Sequence, residues 1–213
     1  MGIVERKLRE KEQRVQEILN AARVLFVNKG YGNTTMLDIA EESELSRRTI
    51  YLYFKSKEEL TFRVMKDAYA HLLDRINGAL DNCGGTAFDK LVAMKEAYLD
   101  FYEHDFDQLL FILISDLRLN PEDMTDDEAQ ACMAAIKSIM NTMVQIINEG
   151  QKDKSIALQE DPVKSASAYM TMIQSTMQKL AVRKEWFMAE FSVNDTDIVE
   201  EMFRVIFHSL KPA

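Results

Sequence analysis

Six side chains that could bind nucleic acid lie close together in the sequence. They are Arg47, Arg48, Thr49, Tyr51, Tyr53 and Lys57. Arginine can donate two parallel hydrogen bonds to guanine O6 and N7, and threonine can hydrogen-bond a base or contact a thymine methyl group. Tyrosine hydroxyls and lysine ammonium groups can reach phosphate oxygens. These residue types therefore indicate DNA binding, if the fold presents them on one surface.

The elements that must position these side chains have the spacing of a helix-turn-helix. Apolar residues at three- and four-residue intervals predict a first helix over 6–29. Two short helices are predicted over 36–43 and 47–53, and only about three residues join them. The second helix of such a motif lies in the major groove with its N-terminal residues against base edges. Arg47 and Arg48 occupy that end here.

Capping residues support these two short helices. Thr34 or Thr35 can cap the helix over 36–43, and Ser46 is suited to cap the helix over 47–53. Ile50 and Phe54 are expected on the core side of the second helix. The cationic side chains would then face away from the core.

Lys57 stands in the first turn of the next helix, where the helix macrodipole disfavours a cation. We therefore expect a negative group to hold it there, and a DNA phosphate is the obvious candidate. The alternative is a solvated lysine whose charge is offset by Glu58 and Glu59.

The formal net charge of −9 would by itself argue against a nucleic-acid partner. That charge is unevenly distributed along the chain: residues 1–66 carry a net +3 and residues 67–213 a net −12. Such asymmetry is a modest indication of a DNA-facing segment at the N-terminal end.

The rest of the chain is also predicted to be helical. The helices are expected over 57–81, 87–103, 105–119, 125–149, 162–187 and 195–210. Gly150 is expected to end the fourth of these, and Asp195 to cap the last. With about nine helices and no alternating strand pattern, the predicted class is all-α.

The sequence indicates a cytoplasmic protein. Cys83 and Cys132 lie far apart, which suggests neither a disulfide framework nor a zinc site and fits a reducing compartment. The longest aliphatic or aromatic run, residues 109–114, is far shorter than the ~20 residues that span a bilayer. No membrane association is expected.

No pattern typical of catalysis is present in the sequence. His71, His104 and His208 form no HExxH motif, and none of them follows a glutamate at the spacing of a di-iron site. Nucleophile-elbow, phosphate-loop and dinucleotide-binding motifs are absent as well. We predict a protein that is not an enzyme and that has no metal and no cofactor.

Residues 34–60 closely resemble the DNA-binding signature of the TetR family of bacterial transcriptional regulators. The Ile39-Ala40 pair, the helix start at 46–49 and the segments 51–54 and 56–58 all fall at the family's spacing. The resemblance extends in register over about fifty residues and includes the first helix. Chain length and helix number agree with it.

This resemblance implies a helix-turn-helix DNA-binding domain over 1–55 and a helical effector-binding and dimerisation domain over 56–213. By motif position, the family's DNA contacts would fall on Thr35, Arg47, Arg48, Thr49, Tyr51, Tyr53 and Lys57. It also implies a homodimer through the last two helices. The expected interface residues are Tyr169, Ile173, Met177, Met202, Phe203 and Ile206.

Two positions depart from the family's pattern. The turn often has glycine where this chain has Glu44, so a left-handed backbone there would be less comfortable and would carry a carboxylate. The helix over 36–43 often has an arginine where this chain has Leu37. Both departures affect which operator sequence the protein would recognise.

The chain has 13 methionines, many of them in the expected effector-binding domain, and flexible thioethers line adaptable pockets. This composition favours a small apolar or aromatic effector, although ordinary core packing explains individual methionines equally well. The candidate effector-binding residues are His71, Tyr98, Phe101, Tyr102, Phe111, Met133 and Asn141.

The sequence thus predicts a ligand-responsive transcriptional repressor. It would bind a palindromic, double-stranded DNA operator as a homodimer and be released by a small molecule. The alternative is a helical adaptor that binds partner helices and no DNA. That alternative leaves Arg47, Arg48 and Lys57 unexplained.

Overall fold

Helices account for the regular secondary structure of the described residues, which are 2–116, 127–157 and 161–211 of a computed structural model. Nine α-helices lie in these ranges, and a single 3₁₀ turn over Tyr31–Asn33 follows the first. They are α1 Ile3–Lys29, α2 Met36–Glu42, α3 Arg47–Tyr53, α4 Lys57–Asp81, α5 Ala87–His104, α6 Phe106–Asp116, α7 Asp127–Asp153, α8 Pro162–Phe191 and α9 Asp195–Leu210. The predicted all-α class is confirmed.

The short helices begin where their capping residues stand. The Thr35 side chain accepts a hydrogen bond from the Asp38 amide, and Ser46 accepts one from the Thr49 amide. Each bond satisfies one of the amides that have no partner within the helix. The predicted bounds of α3 and α4 are reproduced, and α2 ends one residue earlier than expected.

Two predicted helix signals were wrong. Gly150 does not end its helix, since α7 continues through it to Asp153. The cap of α9 is Asn194, whose side chain accepts from the Asp197 amide, so Asp195 is the first helical residue. The helix expected over 162–187 continues to Phe191. The end expected near 119 and the start expected at 125 lie outside the described residues.

The chain divides into two compact units, and each uses separate stretches of sequence. The first comprises Met1–Tyr69 and Asp107–Met133, and the second comprises Ala70–Phe106 and Ala134–Ala213. The division expected between residues 55 and 56 stays a prediction.

The core of the first unit anchors the helix-turn-helix. Ile18 and Phe26 of α1, Ile39 of α2 and Ile50 of α3 are almost completely buried. The Phe26 ring also stacks on Phe111 of α6, with 5.6 Å between the ring centroids. Ile50 is the one buried side chain of α3, so the other side chains of this helix are at least partly exposed.

The second unit is built around the packing of α8 on α9. Ile173, Met177 and Leu180 of α8 and Phe203 and Ile206 of α9 are buried. The hydroxyl groups of Tyr169 and Ser209 lie 3.2 Å apart and join the two helices at their surface.

Candidate nucleic-acid interface

Helix α3 presents its cationic end to solvent. Ile50 and Phe54 are buried on one side, which leaves Arg47 and Arg48 exposed at the start of the helix. The Arg47 guanidinium lies 5.5 Å from the centroid of the Tyr51 ring, one turn further along. Within the described part of the chain, neither arginine forms a salt bridge, so both guanidinium groups keep their donors for an external acceptor.

The hydroxyl side chains of α3 differ in exposure. Tyr51 is 42% exposed, whereas Thr49 and Tyr53 are half-buried. Thr49 Oγ1 lies 2.8 Å from Ser46 Oγ, so the capping serine orients the Thr49 side chain as well as its amide. Leu52, 76% exposed, lies on the same helix and was not among the predicted contacts. The sequence did not predict its exposure, because an exposed leucine cannot be told from a buried one by residue type.

A network of charged hydrogen bonds fixes the start of α2. Asp38 accepts from the Thr35 amide at 2.6 Å and from the Thr35 hydroxyl at 2.7 Å, while Lys29 Nζ lies 2.7 Å from its other oxygen. The hydrogen bond from Lys29, followed by those from Thr35, lowers the pKa of Asp38 to about 2. The exposed Thr35 is thereby held in place beside the lysine.

The turn between α2 and α3 keeps a left-handed backbone although glycine is missing. Glu44 has φ 54°, and the amide of the next residue, Leu45, donates to Ala40 O at 2.8 Å. Glu41, Glu42 and Glu44 are all exposed here, so carboxylates border the cationic end of α3. Leu37, where an arginine is common in the family, is 50% exposed.

Lys57, which was expected to bind a phosphate, already has partners inside the protein. Its ammonium group donates to Tyr31 O and Thr34 O, both at 2.9 Å, and lies 4.2 Å from the centroid of the Tyr31 ring. The side chain is half-buried. These partners are more than twenty residues away in the sequence, so no local pattern could have indicated them.

The seven candidate effector residues are divided between the two units. His71, Tyr98, Phe101, Tyr102 and Asn141 belong to the second unit, whereas Phe111 and Met133 belong to the first. Phe111 is buried against Phe26, and Asn141 and Met133 are exposed.

Tyr102 is committed to a structural contact, because its hydroxyl donates to the Asp195 carboxylate. Burial, and then that hydrogen bond, raises the pKa of Tyr102 above its ordinary value. His71 lies edge-on to Phe101, with 5.6 Å between the ring centroids, and its Nδ1 is 3.8 Å from Asp105.

An apolar cavity of about 30 Å³ lies in the second unit. Of the candidate effector residues, only Tyr98 lines it. Other lining residues are Met94, Met143, Met170, Phe203 and Ile206. This volume corresponds to roughly one water molecule, whereas drug-sized ligands occupy roughly 300–1,000 Å³.

Most of the expected dimer residues are buried within a single protomer. Ile173, Met177, Phe203 and Ile206 are at most 6% exposed there. Tyr169 and Met202 are half-buried. The apolar side chains that these helices do expose include Met172, Val182, Trp186 and Val205, at 44%, 74%, 45% and 51%.

Within the described ranges, no group of three or more histidine, cysteine or carboxylate residues could hold a metal ion. None of the helices in those ranges is long and apolar enough to cross a bilayer.

Comparison with known proteins agrees with this geometry. Residues 18–64, which include α2, α3 and the start of α4, match the family described as bacterial regulatory proteins, tetR family. A 112-residue stretch is 30% identical to the HTH-type transcriptional activator FasR of Mycolicibacterium smegmatis, covering 53% of this chain and 51% of that protein. The chain thus matches about half the length of that relative.

Solved structures share the fold over almost the whole chain. The MbdR regulator from Azoarcus sp. CIB superimposes with a TM-score of 0.72 at 22% identity, covering 93% of this chain and all of that one. AibR, solved in complex with isovaleryl coenzyme A and operator DNA, gives a TM-score of 0.70 at 18% identity, covering 91% of this chain and 98% of that one. At these identities the likeness concerns the fold.

Proposed function

Through residues 18–64 the chain belongs to the tetR family of bacterial regulatory proteins, and on that premise we propose that it is a ligand-responsive transcriptional repressor. It binds a palindromic operator as a homodimer in the cytoplasm and leaves it when a small molecule binds. The proposal rests on Arg47 and Arg48, which are exposed at the capped start of α3 and form no salt bridge with the described residues. That is the end of a recognition helix that meets base edges.

The proposed contact set is Thr35, Arg47, Arg48, Thr49, Tyr51 and Tyr53. The two arginines read bases, and the hydroxyl side chains position the helix on phosphates or contact bases. The two α3 helices of a dimer would enter successive major grooves about 34–36 Å apart, or a multiple of that distance. Lys57 is not in this set, because two of the three donors of its ammonium group already hydrogen-bond to backbone carbonyls of the protein.

Substitution of the two arginines tests this assignment. Arg47→Ala and Arg48→Ala should each weaken binding to the preferred duplex by ~1–3 kcal/mol per base read and relax the preference at that position. Lys137→Ala is the charge-matched control, since Lys137 is an exposed cation on α7, outside the proposed DNA contacts and the proposed dimer interface. Equal losses on preferred and random duplexes would remove Arg47 or Arg48 from base recognition.

The dimer interface is proposed on the exposed apolar side chains of α8 and α9. Val205 and Met172 supply the apolar surface, since these two helices already use their other faces to pack on each other. Placing a charge in a buried apolar contact is costly. Sedimentation should therefore give two chains per particle for the wild type and one for Val205→Glu.

Leu8→Glu is the control for this experiment, because Leu8 is 61% exposed on α1, outside the proposed interface. It should remain a dimer. A wild-type protein that sediments as a single chain at micromolar concentration would contradict the proposal.

The effector is proposed to be a small molecule with an apolar or aromatic group, which opens the cavity beside Tyr98. Met94, Met143 and Met170 line that cavity, and methionine side chains repack readily around different shapes. A relative in this fold, AibR, was solved with isovaleryl coenzyme A, which carries such an apolar group.

A thermal-shift panel of short acyl thioesters and aromatic acids tests the effector. A ligand at about 100 times its Kd stabilises the folded protein by ~2.7 kcal/mol, which raises Tm measurably. The same compound should release the bound duplex. A compound that raises Tm and leaves DNA binding unchanged is not the effector.

A reporter gene placed behind the preferred duplex tests whether the protein represses or activates transcription. Expression of the reporter should rise when the gene for this protein is deleted.

A further inference from the structure

The segment that leads into α2 is held at both ends by one side chain. Residues Tyr31–Asn33 form a 3₁₀ turn, and Thr34 follows it, fully buried, with its hydroxyl donating to Gly30 O at 2.9 Å. Lys57 donates to the carbonyl of Tyr31, where the turn begins, and to that of Thr34, where it ends. Thr35, the cap of α2, is the next residue.

Helix α4 also contacts this turn through the Tyr31 side chain. The Tyr31 hydroxyl donates to Glu58 Oε1 at 2.9 Å, and the ring face lies 4.2 Å from the Lys57 ammonium group. The ring also packs 5.5 Å, centroid to centroid, from Phe26 of the core. The first two residues of α4 therefore contact both the backbone and the side chain of Tyr31.

These contacts explain why a lysine can stand at the N-terminus of a helix. The macrodipole disfavours the cation there. Two carbonyl oxygens and an aromatic face provide the negative potential that offsets this cost. No phosphate is needed to account for the residue.

We propose that Lys57 is a positioning residue that ties the first turn of α4 to the start of α2, so that Thr35 and the helix-turn-helix are held in the orientation that operator binding requires. This inference rests on the proposed function.

Amide hydrogen exchange tests the contact without DNA. Lys57→Met removes the ammonium group and keeps an apolar stem, and Lys55→Met removes the same charge two residues away, from an exposed side chain. The amides of residues 31–38 should exchange about tenfold faster in Lys57→Met, because two hydrogen bonds that restrain the turn are lost. They should be unchanged in Lys55→Met. Unchanged exchange in Lys57→Met would overturn the proposal.

DNA binding then separates positioning from phosphate contact. Two duplexes of equal length are used, one recovered by selection from a random pool and one of random sequence. Lys57→Met should lose about tenfold in affinity for the selected duplex and much less for the random one, with an unchanged salt dependence. Equal losses on both duplexes, with the slope of log K against log salt reduced by about 0.9, would make Lys57 a phosphate ligand and overturn the proposal.

Lys57→Arg provides a second variant in case Lys57→Met is too unstable to assay. Arginine keeps the charge and would keep a phosphate contact, but its planar fork does not reproduce a compact ammonium group between two carbonyls. It should bind the selected duplex almost as weakly as Lys57→Met does; wild-type affinity would overturn the proposal. If no duplex is selected at all, the proposed function fails, and the exchange experiment still decides whether the contact restrains α2.

Discussion

Gly150 is predicted to reverse the usual effect of replacing a helical glycine by alanine. It lies inside α7, and its backbone carbonyl accepts from the Ile156 amide at 3.0 Å where the chain turns back after the helix. A Cβ atom at position 150 would lie 2.8 Å from Ile156 Cβ and 2.5 Å from Cγ1. Ile156 is 3% exposed, and its branch point cannot rotate away from the added atom.

The expected magnitude follows from two opposing contributions. Alanine is favoured over glycine in a helix interior by ~1 kcal/mol. Adding an atom to a packed core costs ~1–3 kcal/mol, and contact with a branch point places this site in the upper part of that range. Gly150→Ala should therefore lower the free energy of unfolding by ~1–2 kcal/mol.

Gly78 is the matched control, since it lies within α4 and an added Cβ would meet nothing within 4 Å. Gly78→Ala should raise the free energy of unfolding by ~0.5–1 kcal/mol. Urea unfolding should be followed at one protein concentration for all variants, because assembly shifts apparent stability.

A double variant identifies the clash itself. Ile156→Gly alone should be destabilising because it leaves a cavity, but it also removes the Cβ atom of residue 156, so in that background Gly150→Ala should become stabilising by ~1 kcal/mol. If Gly150→Ala and Gly78→Ala change stability by the same amount, the close packing of Ile156 on Gly150 is refuted.

Three further outcomes are expected. Glu44→Gly should stabilise the fold by up to ~1 kcal/mol in urea unfolding, since glycine adopts φ 54° without the strain of a side chain; a loss of stability would contradict the left-handed turn. The pKa of Asp38 is lowered to about 2, so its ionised side chain contributes its full stability above the unfolded-state pKa of about 3.9 and loses it as the pH falls through 2. In Asp38→Asn the free energy of unfolding should therefore depend less on pH over that window. The same pH dependence in the variant and the wild type would count against the capping network. Glu128→Gln should cost ~1 kcal/mol, because Glu128 bridges Arg63 and Lys66 at 3.3 and 2.8 Å; wild-type stability would show that the bridge contributes nothing.

The helix-turn-helix could be predicted from the sequence because its determinants are local. Ser46 caps the amide of Thr49 three residues away, and the apolar period places Ile50 inward. The resemblance raised the question whether the turn keeps a left-handed backbone at Glu44, and it does. Capping, apolar spacing and turn conformation involve residues close together in the sequence, so a short segment is enough to predict them.

Features that depend on packing outside a single helix could not be predicted. Glycine is typical of a helix end, yet Gly150 lies within α7, where the Ile156 side chain packs closely against it. The partners of Lys57 lie on another element.

Periodicity shows that α8 and α9 have apolar stripes, but it does not distinguish the stripe that packs within a protomer from one that would meet a partner. Phe203 was therefore assigned to the dimer interface, although it lies in the core. The polar and aromatic side chains proposed for the effector were likewise chosen by type, and the structure spreads them over both units.

Selection of bound sequences from a random duplex pool tests whether the protein recognises DNA as a symmetric dimer. We expect recovery of one inverted repeat whose half-site centres lie about 10–10.5 base pairs apart, or a multiple of that spacing. Arg47→Ala should lose the preference at one position in each half-site. Failure of folded, ligand-free protein to enrich any sequence at low salt would contradict DNA recognition and favour a helical adaptor that binds no DNA.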